Sequence, residues 1–128
     1  MNPVVLVIED NEQNLYLMRF LLEKNGFTVV EATDGAKGVE MAKETKPNLI
    51  LLDIQLPKMD GYAVARELRK NGELAKTSIV AVTSYAMVGD RERVLAAGAD
   101  GYIEKPIDPD TFIAKIEQHL PVKMRGAR

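Results

Sequence analysis

The chain has 128 residues, of which 17 are Lys or Arg and 19 Asp or Glu, for a net charge of −2, with no cysteine and a single histidine. That length suits one ordinary domain, which buries roughly two-thirds of its unfolded surface and needs no staple. The missing cysteine excludes disulfides, a thiolate nucleophile and thiolate metal ligands. The charge argues against direct nucleic-acid binding by the body of the domain, and no apolar run approaches the ~20 residues of a membrane span. An apolar run begins so close to Met1 that no signal peptide fits before it, so a cytoplasmic location is expected.

Five short apolar runs alternate with longer segments of helical spacing. The first run is Val4–Ile8. Behind it Leu15, Met18, Leu21 and Leu22 recur at helical steps, after a cap at Asp10 or Asn11 and before a C′ glycine at Gly26. The second run, Phe27–Val30, precedes a weaker stripe of Ala36, Val39, Met41 and Ala42, ended by Lys46-Pro47. The third, Leu49–Leu52, precedes Ala63, Val64 and Leu68 and a break at Asn71-Gly72. The fourth, Ile79–Val82, precedes Val94 and Leu95, then Ala97-Gly98. The fifth, Gly101–Ile103, precedes Phe112, Ile113, Ile116 and Leu120, up to Pro121.

Strand and helix therefore alternate five times, which predicts a parallel sheet with helices on both faces. Runs one, three and four are continuously apolar, as in strands buried on both sides. Run five is shorter and more polar and is expected near an edge. Right-handed crossovers favour an α/β, flavodoxin-like doubly wound (βα)5 sheet of order 2-1-3-4-5. Functional sites in such sheets lie at the carboxyl ends of the strands, near the switch between strands 1 and 3. Residues 1–121 form the expected domain, and 122–128 a short basic tail.

Acidic residues stand at that switch. Glu9 and Asp10 end the first run and Asp53 the third, while Thr83 ends the fourth and Lys105-Pro106 the fifth. Carboxylates suit a hard cation such as Mg²⁺ (or Mn²⁺), with Asp10 and Asp53 as ligands, Glu9 direct or through water, and a main-chain carbonyl after Asp53, that of Gln55. One Asp53 oxygen can then attack phosphorus to form an aspartyl phosphate, with Lys105 offsetting the charge and Thr83 hydrogen-bonding a phosphoryl oxygen. Each residue also has a plainer reading. Asp53 can be a turn residue, Glu9-Asp10 can cap a helix, Thr83 can be an ordinary strand residue and Lys105 a solvated one. Lys105-Pro106 can hold a cis bond. Four such elements ending different strands at one sheet edge favour the joint reading. His119, near the end of the last helical segment, reads as solvated or as complementing the helix dipole.

These residues resemble the receiver domain of two-component response regulators. The resemblance rests on Val5-Leu6-Val7-Ile8-Glu9-Asp10-Asn11, on Leu52-Asp53-Ile54-Gln55-Leu56-Pro57-Lys58-Met59-Asp60-Gly61, on Val80-Ala81-Val82-Thr83-Ser84, on Ala97-Gly98-Ala99-Asp100-Gly101-Tyr102 and on Lys105-Pro106, in the family's order over nearly the whole chain. Its wording looks most like DivK-type single-domain regulators and receivers of hybrid kinases. The resemblance implies that Asp53 accepts the phosphoryl group from a histidine kinase or histidine phosphotransfer protein. Glu9, Asp10 and the Gln55 carbonyl would hold Mg²⁺, and Lys105 would pair with the phosphate, followed by a cis bond to Pro106. Thr83 would be the switch hydroxyl and Tyr102 the switch aromatic. Ala86, Met87, Val88, Arg91 and Tyr102 would lie on the face read by a downstream protein partner. The implied molecule is a phosphorylation-controlled switch with no output domain, as a monomer or a weak phosphorylation-dependent dimer, and not an enzyme acting on other molecules.

The family often has two aspartates where this chain begins the acidic pair with Glu9. An aspartyl-phosphate hydrolase of the haloacid-dehalogenase type is a rival reading. Its general acid usually stands two residues beyond the nucleophile, where this chain has Gln55. A module that never becomes phosphorylated is disfavoured by the intact acidic, Thr83 and Lys105 elements, and a nucleoside-triphosphate loop is missing. In the family, residues two beyond the acceptor and two beyond the switch hydroxyl flank the attacking water. Here they are Gln55 and Tyr85, and bulk at Tyr85 is expected to slow hydrolysis. The phosphoryl half-life should therefore be longer in the wild type than in Tyr85→Ala, measured by loss of the phosphorylated mass after quenching the donor.

Overall fold

The computed structural model describes residues 2–56, 60–84, 89–121 and 124. Five parallel strands, β1 (Val4–Ile8), β2 (Thr28–Ala32), β3 (Leu49–Asp53), β4 (Ser78–Thr83) and β5 (Gly101–Glu104), alternate with α1 (Glu12–Lys24), α2 (Gly35–Thr45), α3 (Gly61–Arg69), α4 (Asp90–Ala96) and α5 (Phe112–Glu117). A short 3-10 turn at Gly72–Leu74 follows α3. The strand order is β2-β1-β3-β4-β5, the doubly wound topology expected. The more polar fifth run is indeed an edge strand.

Pleating sends alternate residues of each strand to opposite faces, and this divides the core in two. Leu6, Ile8, Ile50, Leu52, Ile79 and Ala81 join Val39 and Ala42 of α2, Val64 and Leu68 of α3, and Val94 of α4. On the other face Val5, Val7, Leu49, Leu51, Val80 and Val82 join Met18 and Leu22 of α1 and Phe112 and Ile116 of α5. Both faces of β1, β3 and β4 are thereby sealed, which explains their unbroken apolar runs.

Local chemistry stops the elements where the sheet needs them to stop. Asn11 caps α1 through its side chain, which accepts from the Asn14 N–H at 2.9 Å. Asp34 and Asp60 do the same for α2 and α3 at 2.8 Å each. Gly26 takes φ +87° beyond α1, and the Gly26 and Phe27 N–H groups donate to Glu23 and Leu22 carbonyls. That is a Schellman end, repeated after α4 by Gly98 at φ +119° with bonds to Leu95 and Val94. Gly61 lies so close to the Ile54 backbone that a β-carbon there would collide with it.

The structure shifts some boundaries. The second run reads as Phe27–Val30, whereas β2 covers Thr28–Ala32. Phe27 is spent on the Schellman end of α1, and edge position lets Glu31 join the strand, where Arg19 of α1 meets it at 3.1 Å. The last stripe extends to Leu120, but α5 ends at Glu117 and turn bonds carry the chain on to a buried Leu120. His119 is not simply solvated. It is half-buried, its imidazole covers Gly101, and its carbonyl accepts the Ser78 hydroxyl. Of the basic tail, Met124 packs against the α1–α5 side of the core; residues 122, 123 and 125–128 lie outside the described residues.

Arg69 ties the sheet end opposite the acidic residues. Its Nε donates to the Gly98 carbonyl at 2.8 Å, and Nη1 donates to the carbonyls of Leu74 and Thr77 at 3.0 and 2.8 Å. Nη2 meets Asp100 Oδ2 at 2.6 Å, and the same oxygen accepts the Ile79 N–H at 2.8 Å. One guanidinium thus joins α3 to the turns that start β4 and β5. Arg69→Ala would strand several half-buried carbonyls and leave Asp100 without its cation. It should lower unfolding stability by about 2–3 kcal/mol. Urea unfolding should show a lower midpoint at unchanged slope, and a midpoint equal to the wild type's would remove Arg69 from this role.

Candidate functional site

Parallel register brings the carboxyl ends of the five strands level. Ile8 pairs with Ala32 and with Leu52, Asp53 with Val82, and Thr83 with Glu104. Glu9 and Asp10 leave β1 at this edge, Asp53 ends β3, Thr83 ends β4 and Lys105 follows β5. Glu9, Asp53 and Thr83 are the buried polar residues of the described chain, with 0%, 3% and 2% exposure. Asp10 is exposed. The site is therefore a shelf with two carboxylates recessed and one facing solvent.

One oxygen from each of Glu9, Asp10 and Asp53 lies within 4.8 Å of the others. Lys105 Nζ stands 2.9 Å from Glu9 Oε1 and 3.4 Å from Asp53 Oδ1. Among the described residues, the Lys105 ammonium contacts two of the three carboxylates. The Lys105–Pro106 peptide bond is cis. Main-chain donors hold the carboxylates too: the Asn11 N–H reaches the second Glu9 oxygen, Oε2, at 3.2 Å, and the Gln55 N–H reaches Asp53 Oδ1, the oxygen Lys105 approaches, at 2.9 Å. Glu9 Oε1 is fully buried, and its partner among the described residues is the Lys105 ammonium at 2.9 Å.

Burial pushes the Glu9 carboxyl up to about 7, reinforced by the Asp53 carboxylate and opposed by Lys105. A buried acid beside two further carboxylates, with one ammonium shared between it and Asp53, is short of positive charge among the described residues. The donor set is all oxygen and all hard, so it fits Mg²⁺ or Mn²⁺. Among the described residues, Glu9, Asp10 and Asp53 are the side chains that could hold it.

Tyr102 lies on β5, half-buried, packed against the core cluster that includes α4 residue Val94. Its hydroxyl donates to Glu104 Oε1 at 2.9 Å, and that bond first of all holds the phenol above its usual range. Arg91 is exposed on α4. Ala86, Met87 and Val88 of the anticipated face lie outside the described residues, as does Tyr85. Two contacts escaped the sequence reading. The Gln55 side-chain oxygen accepts from both the N–H and the hydroxyl of Ser84, at 3.2 and 2.6 Å. The two residues are 29 apart in sequence, and nothing local pairs them.

Glu9 gives this site a pH signature. Its folded value of about 7 lies above the 4.5 of a free glutamate, so the folded protein binds the extra proton between these limits. The resulting stability is present below about pH 4.5 and is lost as pH rises through about 7. Without metal, the urea midpoint should fall as pH rises from ~5 to ~8, and Glu9→Gln should flatten that fall. Mg²⁺ binds the deprotonated carboxylates, so added Mg²⁺ should restore the midpoint chiefly at the upper end. A wild-type midpoint indifferent to pH, with no response to Mg²⁺, would contradict this electrostatic account.

Comparison with known proteins agrees with this geometry. The family model for the response regulator receiver domain matches residues 5–117. The polar-differentiation response regulator DivK of Brucella anthropi is 40% identical over 116 residues, which cover 91% of this chain and 94% of DivK. The receiver domain of a sensor histidine kinase from Pseudomonas aeruginosa, solved with a magnesium ion coordinated in its active-site cleft, superposes with a TM-score of 0.85. It is 31% identical, with 92% of this chain and 97% of that one covered. The chemotaxis protein CheY4 of Vibrio cholerae shares the fold at a TM-score of 0.90 with 23% identity, covering 94% and 100% of the two chains. The chain belongs to the response regulator receiver domain family.

Proposed function

We propose that this receiver is a switch set by phosphorylation of Asp53, with a phosphohistidine of a histidine kinase or histidine phosphotransfer protein as donor. The observation that carries this reading is the Asp53 carboxylate itself. It is recessed at the end of β3, grouped with Glu9 and Asp10, and approached by the Lys105 ammonium at 3.4 Å.

In the transfer, an Asp53 carboxylate oxygen forms a bond to phosphorus as the donor's P–N bond breaks. The imidazole nitrogen leaves with its electron pair and takes up a proton. Hydrolysis reverses the outcome, because water adds to phosphorus and releases inorganic phosphate and the Asp53 carboxylate. Held by Glu9, Asp10, Asp53 and the Gln55 main-chain carbonyl, Mg²⁺ (or Mn²⁺) supplies positive charge for the phosphoryl oxygens. Lys105 supplies a second positive charge and, once the phosphate is in place, exchanges its carboxylate contacts for phosphoryl oxygens. The Gln55 N–H keeps Asp53 oriented through its bond to Oδ1.

Thr83 follows Val82, which is in register with Asp53, so its hydroxyl is the hydrogen-bond donor of β4 for the phosphoryl group. Movement of Thr83 would be coupled to Tyr102 two positions behind its own β5 partner, Glu104. The altered face would comprise Tyr102, Arg91 and the neighbouring Ala86, Met87 and Val88, and a downstream protein would read it. Phosphorylation thereby shifts a pre-existing equilibrium rather than building a new fold. The output is a protein contact in the cytoplasm, by a monomer or a weak phosphorylation-dependent dimer, and not turnover of a substrate.

Acetyl phosphate with Mg²⁺ should add one phosphoryl group to the intact mass. Asp53→Asn should abolish the gain, and Lys105→Met should slow it by about two orders of magnitude, the scale of one lost charge-stabilising donor. Equal labelling of Asp53→Asn would move the acceptor elsewhere.

A further inference from the structure

The Gln55–Ser84 contact has no part in metal binding, yet it sits between the acceptor and the switch. The peptide unit joining Thr83 to Ser84 is bonded on both edges. Its carbonyl, that of Thr83, accepts the Lys105 N–H at 2.8 Å. Its N–H, that of Ser84, donates to Gln55 Oε1 at 3.2 Å, and the Ser84 hydroxyl donates to the same oxygen at 2.6 Å. The backbone N–H of Gln55 in turn holds Asp53 Oδ1 at 2.9 Å. One residue thus grips the acceptor carboxylate with its main chain and the end of β4 with its side chain.

We propose that the Gln55 amide is a positioning clasp for Thr83: by fixing the Thr83–Ser84 peptide from the β3 side, it pre-orients the Thr83 hydroxyl toward the place where the phosphoryl group forms. This rests on the reading of Asp53 as phosphoryl acceptor and of Thr83 as its hydrogen-bond donor. A donor aimed in advance stabilises the transition state without reorganising at the moment of transfer. Thr83 ends its strand, and beyond it the β4–β5 ladder does not hold the chain. Without the clasp, the Thr83 carbonyl would keep its β5 partner while the N–H side of the same peptide lost its tie to β3. Ser84 is exposed, so its hydroxyl can be removed without touching the core.

The test is the initial rate of Asp53 labelling by acetyl phosphate and Mg²⁺, read by intact mass. Gln55→Met keeps the length of the side chain and removes the acceptor. It should slow labelling about fivefold to tenfold, and Ser84→Ala about twofold to threefold, the range for one or two net hydrogen bonds. The double variant should be no slower than Gln55→Met, because both changes open the same clasp. In a Thr83→Ala background neither change should slow labelling further, an outcome that a general loss of stability would not produce. Mg²⁺ affinity should be the same in Ser84→Ala as in the wild type. Wild-type rates in Gln55→Met, slowing that persists in the Thr83→Ala background, or weaker Mg²⁺ binding in Ser84→Ala would each overturn the clasp. A wild type that takes no label on Asp53 would instead overturn the acceptor reading, and the clasp's role with it.

Discussion

The arrangement depends on crowding negative charge at one sheet edge. Glu9, Asp10 and Asp53 present oxygens within 4.8 Å of one another, and Lys105 is the ammonium that contacts the two buried ones. Carboxylates that close repel, and burial weakens the water that would screen them. The imbalance is visible in Glu9, whose carboxyl is driven up to about 7 by burial and by Asp53 in spite of the Lys105 ammonium. Such an all-oxygen, negatively charged cluster is the kind of site that a hard cation would stabilise.

The fold bears that cost through the strands beneath. Val5 to Ile8, Leu49 to Leu52 and Ile79 to Val82 are wholly buried, and the two core clusters clamp the sheet from both faces. Close-packed interiors yield little, so the ends of β1, β3 and β4 are held rigidly even though their terminal side chains repel. Arg69 fastens the opposite end of the sheet by joining α3 to the approaches to β4 and β5.

Sequence patterning was informative where the physics is local or periodic. Apolar runs marked β1, β3 and β4 because burial on two faces leaves no room for polar residues, and helical stripes marked the helices by their one buried face. Gly26 reads correctly as the end of α1, and of the two candidate caps, Asp10 and Asn11, the structure selects Asn11, because capping and positive φ are local demands. Phe27 misled because it is apolar whether it ends a helix or begins a strand. The packing of His119 on Gly101 was not legible, because Gly101 lies on another element.

By itself the sequence determined which residues would meet: an acidic residue, a threonine or a lysine at the end of a strand must arrive at a common edge once strands are parallel and crossovers right-handed. What only the tertiary structure decided is how they meet. It sealed Glu9 away from solvent while leaving Asp10 outside, gave Lys105 to both buried carboxylates, and joined Gln55 to Ser84 across 29 residues. Protonation, ion pairing and side-chain hydrogen bonds depend on distances of a few ångströms and on the exclusion of water. Neither quantity exists until the two faces of the sheet are packed.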